Sequence, residues 1–161
     1  MAAAAAAAGG ASAGGSGGIG TEPDAASQAA FPVRGKHVYG DGLGAGRGHQ
    51  GQDLLADCGN RLVAARAGRV QVKDFQASGA GKHVVVDGKG TSKDFVYMHM
   101  KRVLVRKGER VAAGEKIGRV GDTGRTTACH LHFEIWSGPG WYEGGDPVNP
   151  TRPLRRWDRD H

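Results

Sequence analysis

Glycine is the feature of this chain that most restricts its fold. The chain has 29 glycines among 161 residues, and from Arg61 onward they separate short runs of β-branched and apolar residues. Glycine weakens helix interiors and supplies the backbone conformations that tight turns require. The runs that predict strands are 61–65, 68–72, 83–87, 94–99 and 130–135. No segment shows an apolar period of 3.6 residues over three turns, so we expect little helix and an all-β fold.

The first thirty residues differ sharply in composition from the rest. They are dominated by Ala, Gly and Ser and contain no Lys or Arg. Few of their side chains bury enough apolar surface to offset the entropy of ordering, so we expect residues 1–30 to form a disordered linker. They lack the basic start of a signal peptide, which leaves open a native linker, a processed remnant or part of a longer secreted or anchored chain.

We expect one domain over residues 31–150 and a short basic tail over residues 151–161. The tail carries four Arg and two Asp, which either add affinity for an anionic surface or only keep the terminus solvated. No stretch approaches the roughly 20 apolar residues of a membrane span. The formal net charge is +6, which suits an anionic partner. The sequence shows no basic helix and no aromatic stacking platform, which argues against nucleic acid.

Two histidines flank one leucine in the predicted strand 130–135. Because side chains alternate along a strand, His130 and His132 leave one face while Leu131 and Phe133 leave the other. The apolar pair can then enter the core while both imidazoles line a groove, as a metal site requires. Taken alone, such a pair is more often two surface histidines.

A second candidate segment contains His49 and Asp53, four residues apart. A fully extended chain would separate their Cα atoms by roughly 13 Å, at about 3.3 Å per residue. Two ligands at about 2 Å from one zinc ion scarcely close that gap, so the segment must curl. Gly48 and Gly51 permit such a curl.

His99 ends the predicted strand 94–99, on the face that Phe95 and Tyr97 would share. A lone histidine in that position is more often a packing residue than a catalytic one. The following segment, 103–124, alternates short strands with glycine corners and resembles the hairpins of barrel-sandwich proteins.

Together these motifs resemble the lysostaphin-like (LytM-type) zinc endopeptidases. GHQGQD, YMH and CHLHFEI follow one another as the family's H-x-x-x-D, Y-x-H and H-x-H motifs do. FPV at 31–33 and DPVNP at 146–150 resemble the usual start and end of the family's domain. Residues 128–129 are Ala-Cys where the family often has Gly-Pro, which leaves the shape of that loop open.

The resemblance implies an all-β fold, a small antiparallel β-sandwich of the barrel-sandwich hybrid type with a groove that holds zinc. It implies that His49, Asp53 and His132 bind one zinc ion per chain, and that His99 and His130 are catalytic residues beside the metal. Which of the two catalytic histidines is the general base stays open. No other cofactor is expected.

The function implied by the resemblance is zinc-dependent cleavage of peptide cross-links in bacterial peptidoglycan. The expected partners are peptidoglycan peptides and anionic cell-wall polymer. The expected protein is a monomer that is secreted or located in the cell envelope. The alternative is an inactive module of the same fold that binds the wall or activates another hydrolase. A lipoyl or biotinyl carrier is disfavoured, because Lys107 and Lys116 lie outside the sequence context of a modified lysine.

The two cysteines are expected to approach each other if the metal motifs meet. Cys58 follows Asp53 closely and Cys129 directly precedes His130, so a disulfide is sterically possible and would fit an extracellular location. Two free thiols remain the alternative. Cys129 points away from the face of His130 and His132, which disfavours it as a zinc ligand.

Three further side chains near these motifs have other expected roles. Glu134 continues the face of His130 and His132, and we expect it to support a ligand or form a salt bridge. Tyr39 and Tyr97 are possible hydrogen-bond donors to an oxyanion, although packing is favoured for both.

Overall fold

The computed structural model of the protein describes residues 28–46 and 48–161. It consists of ten antiparallel β-strands followed by one helix, α1 (Thr151–Arg159). The strands are β1 (His37–Tyr39), β2 (Gln52–Ala56), β3 (Arg61–Val63), β4 (Gly68–Gln76), β5 (Gly81–Gly88), β6 (Lys93–Val103), β7 (Arg110–Val111), β8 (Lys116–Val120), β9 (His130–Ser137) and β10 (Pro147–Val148). The predicted antiparallel β fold is confirmed. Residues 1–27 of the expected linker lie outside the described residues.

The strands join into one sheet whose central members carry the motifs. Its order is β1-β2-β9-β6-β5-β4-β7, with β10 beside β9 and the β3–β8 pair attached through β6. Strand β9 therefore lies between β2 and β6, which contain Asp53 and His99 respectively. Three motifs that are distant in sequence are neighbours in the sheet.

Strand β9 follows the alternation that its sequence predicts. Leu131, Phe133 and Ile135 are buried in the main core, where they pack with residues of β2, β5 and β6. His130 and His132 leave the other face and line a groove. Alternation along one strand thus separates the apolar core from the polar site.

The segment between His49 and Asp53 curls as its spacing requires. Gly48 has φ of 85°, in the left-handed region that other residues rarely adopt. Gly51 passes so close to β9 that an added Cβ would lie 2.3 Å from the carbonyl oxygen of Phe133. These two glycines turn the chain from the loop that contains His49 into β2. Asp53 is the second residue of that strand and therefore already pairs with β9.

The C-terminal segment differs from the expectation of a separate tail. Residues Thr151–Arg159 form α1, and its Leu154 and Trp157 are buried in the main core. The ring of Trp157 contacts Phe133 edge-on, with centroids 6.5 Å apart. The expectation that the sequence holds no basic helix was wrong, since α1 carries four exposed arginines. Pro153 does not interrupt it, because the first-turn N–H groups of a helix have no partner within that helix.

Cys58 and Cys129 form a disulfide, with their Cα atoms 5.3 Å apart. The predicted bridge is therefore confirmed. It joins the turn after β2 to the residue before β9. In the part of the chain that the structure describes, no helix is both long enough and apolar enough to cross a membrane.

Candidate metal centre

The register of the central strands sets Asp53 directly opposite His132. Strand β2 pairs Asp53 with His132 and Leu55 with His130. On the other side of β9, Met98 of β6 pairs with His132. This alignment, together with the curl at Gly48 and Gly51, gathers the candidate ligands at one point above the sheet.

His49, Asp53 and His132 form a compact donor group. One ligand atom from each lies within 4.8 Å of the other two. Asp53 Oδ1 is 2.9 Å from His132 Nδ1 and 3.3 Å from His49 Nε2. Two imidazole nitrogens and one carboxylate oxygen are a donor set typical of catalytic zinc, with a fourth position left for water or substrate.

The second nitrogen of each candidate ligand histidine is already occupied. His49 Nδ1 donates to the carbonyl oxygen of Gly42 at 2.8 Å, which leaves Nε2 directed at Asp53. His132 Nε2 donates to Glu134 Oε1 at 2.8 Å, which leaves Nδ1 directed at the same carboxylate of Asp53. Hydrogen bonds of this kind fix the tautomer of metal-binding histidines. The residues present therefore fit a zinc ion.

Glu134 connects this centre to the sheet. Its side chain is only 2% exposed, and its second oxygen, Oε2, accepts a hydrogen bond from Trp136 Nε1 at 2.6 Å. A buried carboxylate is stable when its oxygens are paired in this way. The expected supporting role of Glu134 agrees with these contacts.

His99 and His130 stand beside the donor group with their rings 4.8 Å apart. His99 Nδ1 donates to the carbonyl oxygen of Thr123 at 2.8 Å, and His130 Nδ1 donates to that of Ala128 at 2.9 Å. In each ring the tethered nitrogen carries the proton, so Nε2 offers a lone pair to the groove. His130 Nε2 lies 3.5 Å from Asp53 Oδ1.

His99 does not share the face of Phe95 and Tyr97, so that sequence expectation was wrong. Both of those side chains lie in the core, whereas His99 lines the groove next to Met98. The cause is a break in alternation: β6 leaves β9 after Met98 and pairs with β8 from Met100. At this point His99 has φ of 60°, a strained conformation for a residue with a side chain.

Burial and charge move the pKa values of these groups in different directions. Burial lowers the pKa of His99 below its ordinary value, although its hydrogen bond to Thr123 opposes the shift. Burial also lowers the pKa of His132, but hydrogen bonds and charge from Asp53 and Glu134 outweigh it and raise the pKa to about 9. For Asp53, burial raises the pKa, but His132, His130 and His49 together bring it below the usual range.

The groove around this centre has walls that the motifs did not predict. Arg125, Thr126, Gln50, Trp141 and Tyr142 are among the residues that line it. Their sequence context gives no signal beyond nearness to the motifs, because long-range packing brings the segment 141–142 to the groove.

The two tyrosines considered as oxyanion donors lie elsewhere. Tyr97 is fully buried and its hydroxyl accepts a hydrogen bond from the N–H of Ala65 at 2.8 Å. Tyr39 contacts Asp158 of α1, with 3.4 Å between the hydroxyl and Oδ2. Neither lines the groove, and packing is their role.

Comparison with known proteins places the motifs in one family. Residues 47–150 match the family described as peptidase family M23. Murein hydrolase activator NlpD of Salmonella dublin is 33% identical over 144 residues, which cover 83% of this chain and 35% of NlpD. Peptidoglycan DD-endopeptidase ShyA of Vibrio cholerae is 36% identical over 104 residues, which cover 65% of this chain and 22% of ShyA. The chain thus spans about a third or less of the length of these relatives.

Solved structures resemble the fold over most of the described domain. The catalytic domain of lysostaphin from Staphylococcus simulans superimposes with a TM-score of 0.68 at 26% identity, covering 74% of this chain and 92% of that domain. A zinc-containing peptidase from Vibrio cholerae gives a TM-score of 0.64 at 28% identity, covering 76% of this chain and 39% of that protein.

Proposed function

Since the chain belongs to peptidase family M23, we propose that it is a zinc-dependent endopeptidase that cleaves peptide cross-links of bacterial peptidoglycan. The observation that carries the proposal is the completeness of the centre. A donor group of His49, Asp53 and His132 stands beside two histidines that donate through Nδ1 and present Nε2 to the groove. A protein that only binds the wall has no need of that second pair.

His49, Asp53 and His132 would hold the metal. Zinc, when bound, supplies Lewis acidity to a water molecule and to the peptide carbonyl. The side chains of the protein would supply general acid–base catalysis. One of His99 and His130 would accept the water's proton at Nε2 and then pass it to the departing amine, while the other, protonated at Nε2 from solvent, would donate a hydrogen bond to the developing oxyanion. The carbonyls of Thr123 and Ala128 keep the proton of each ring on Nδ1, which leaves Nε2 as the atom that gains or gives a proton in either role.

The lowered pKa of His99 suits a base, because the ring stays neutral to a lower pH than an ordinary histidine. Substrate orientation falls to the groove walls on either side of these rings.

We further propose that the protein acts as a monomer in the cell envelope or outside the cell, on peptidoglycan peptides and near anionic wall polymer. The disulfide suits an oxidising compartment. The net charge of +6 favours approach to an anionic wall. The relatives named for peptidoglycan cleavage support the substrate class.

The second candidate is an activator of another wall hydrolase. The similarity to NlpD over 83% of this chain favours it. The two functions differ in whether zinc-loaded protein hydrolyses peptide bonds by itself.

The test combines metal content with cleavage of purified peptidoglycan. We expect about one zinc per chain. We also expect the turbidity of the peptidoglycan suspension to fall, and a chelator to abolish this fall. Asp53→Ala should lose zinc and activity together, because it removes the anionic ligand. His130→Ala should keep zinc and lose turnover, because this residue would act in catalysis through Nε2 and would not bind the metal. One zinc per chain without cleavage of any wall or peptide would contradict the proposal and favour the activator.

A further inference from the structure

We propose that Arg125 binds a carboxylate of the substrate, so that the enzyme prefers cross-links with a free carboxylate beside the scissile bond over uncharged glycine bridges. This inference rests on the proposed peptidase function and narrows its substrate class. A direct cross-link to a diamino acid with two carboxyl groups can carry such a carboxylate on the carbon next to the amide nitrogen, whereas a polyglycine bridge carries none.

The backbone of Arg125 is held firmly at the edge of the groove. It belongs to the loop between β8 and β9, which is closed by the bridge between Gly121 and His130 and is tied at Cys129 to Cys58 by the disulfide. The Arg125 N–H donates to the carbonyl oxygen of Gly79 at 2.8 Å. The adjoining Gly124 packs so closely that an added Cβ would lie 2.3 Å from that same oxygen.

This loop also supports both candidate catalytic histidines. The carbonyl of Thr123 accepts the hydrogen bond from His99 Nδ1, and Thr126 Oγ1 lies 3.3 Å from His130 Nδ1. Arg125 stands between these two threonines in sequence, and its side chain lines the groove with both histidines. A group bound by Arg125 is therefore close to the bond that would be cut.

The guanidinium of Arg125 is available for a ligand. The side chain is exposed, and among the described residues no hydrogen bond or ion pair engages its guanidinium. The two carboxylates of the groove do not neutralise it, because Asp53 and Glu134 both contact His132. An arginine fork binds a carboxylate through two parallel hydrogen bonds.

In the described part of the chain, the remaining walls offer no second lysine or arginine. Arg125 is the only Lys or Arg that lines the groove within residues 28–46 and 48–161. Farther along, Trp141 and Tyr142 form an aromatic pair with ring centroids 5.0 Å apart, and Tyr142 donates to Gln50 Oε1 at 2.8 Å. Apart from the proposed metal and the histidines, Arg125 is therefore the one cationic side chain among the described groove residues.

The test uses two synthetic peptides with the same scissile amide between D-alanine and the second amino group of a diamino acid that has two carboxyl groups. They differ only in the group beside the amide nitrogen, which is a free carboxylate in one and a carboxamide in the other. For zinc-loaded protein we expect kcat/KM to favour the carboxylate peptide by about 10- to 100-fold, mainly through KM. In Arg125→Gln this ratio should fall close to one, and Arg125→Lys should retain part of it.

Arg106→Gln is the matched control, since Arg106 is exposed on a turn away from the groove and its loss should leave the ratio intact. Equal cleavage of both peptides by the unaltered protein overturns the inference while the proposed function stands. A ratio that survives in Arg125→Gln also overturns it. Cleavage of neither peptide by zinc-loaded protein overturns the proposed function and this inference with it.

Discussion

At the scale of single residues, the centre is organised by the nitrogen atoms that do not face the metal position. His49 and His132 use opposite nitrogens for that position, Nε2 and Nδ1, because their remaining nitrogens are bound by Gly42 and Glu134. A backbone carbonyl holds one ring and a buried carboxylate holds the other. Only the second of these partners can be changed by substitution.

Replacing Glu134 by glutamine is expected to weaken zinc binding by about 10- to 100-fold. Glutamine has one acceptor oxygen for two donors, His132 Nε2 and Trp136 Nε1, and it carries no charge. The measurement is competition with a chromogenic chelator. Thermal unfolding of the metal-free variant serves as the check on folding, and an unchanged zinc affinity would contradict the role assigned to Glu134.

Zinc binding to the metal-free protein is expected to release a proton at pH 7. The pKa of His132 is raised to about 9, so its imidazole is mostly protonated at pH 7, while a ligand nitrogen must be unprotonated. Apparent affinity should then rise about tenfold per pH unit until the pH reaches the pKa of His132. Calorimetry in two buffers of different ionisation enthalpy measures the proton, and identical heats in both would refute the expectation.

At the scale of strands and loops, the sequence predicts regular elements and misses irregular ones. Alternation in β9 correctly separates Leu131 and Phe133 from His130 and His132, because a two-residue period is a local property. The face of His99 depends on the change of partner from β9 to β8, which is a long-range pairing.

Helix α1 was missed for a similar reason. Its buried positions are only Leu154 and Trp157, which is too little apolar periodicity to detect over nine residues. The helix is stabilised by the core of the sheet on which it packs, and that surface exists only in the folded protein. The groove walls at Arg125, Trp141 and Tyr142 were likewise undetectable, since they reach the site through loop packing.

The disulfide is expected to stabilise the arrangement of β2 against β9. Cys58 and Cys129 are 71 residues apart in sequence, so the bridge restricts the unfolded chain strongly. The double variant Cys58→Ser, Cys129→Ser should lose about 4 kcal/mol of unfolding free energy. Urea unfolding measures the loss, with the unaltered protein under reductant as the parallel sample. Equal stability of all three samples would show that the bridge contributes little.

At the scale of the whole molecule, the arginines of α1 and the candidate metal centre belong to opposite faces of the sheet. Helix α1 packs on the core face through Leu154 and Trp157, whereas His130 and His132 leave the other face. Its four arginines, at positions 152, 155, 156 and 159, are exposed and recur at helical spacing on one side. We name this set the arginine stripe.

Neutralising three of the four residues of the arginine stripe is expected to weaken adsorption to intact anionic walls without changing cleavage of small peptides. In the triple variant Arg152→Gln, Arg156→Gln, Arg159→Gln, adsorption at an ionic strength of about 0.1 M should fall about tenfold, because three like charges on one surface attract a polyanion together. Sedimentation with purified walls measures adsorption, and the difference should vanish in high salt.

A control variant with the same net charge replaces Arg106, Lys107 and Arg110 by glutamine; these residues are exposed at the start of β7 and in the segment before it. If both triple variants lose adsorption equally, total charge is responsible and the arginine stripe has no special part.

The contact between the two ends of the described domain has a consequence for protein engineering. The Arg34 side chain hydrogen-bonds to the ring of His161, including a distance of 2.9 Å from Nη1 to Nε2. Arg34 and His161, which lie near the two ends of the described residues, therefore share one patch of surface. A fold with this property can be spliced into a surface loop of a host protein through short connectors, because the host's own backbone need not be spread apart to accommodate it.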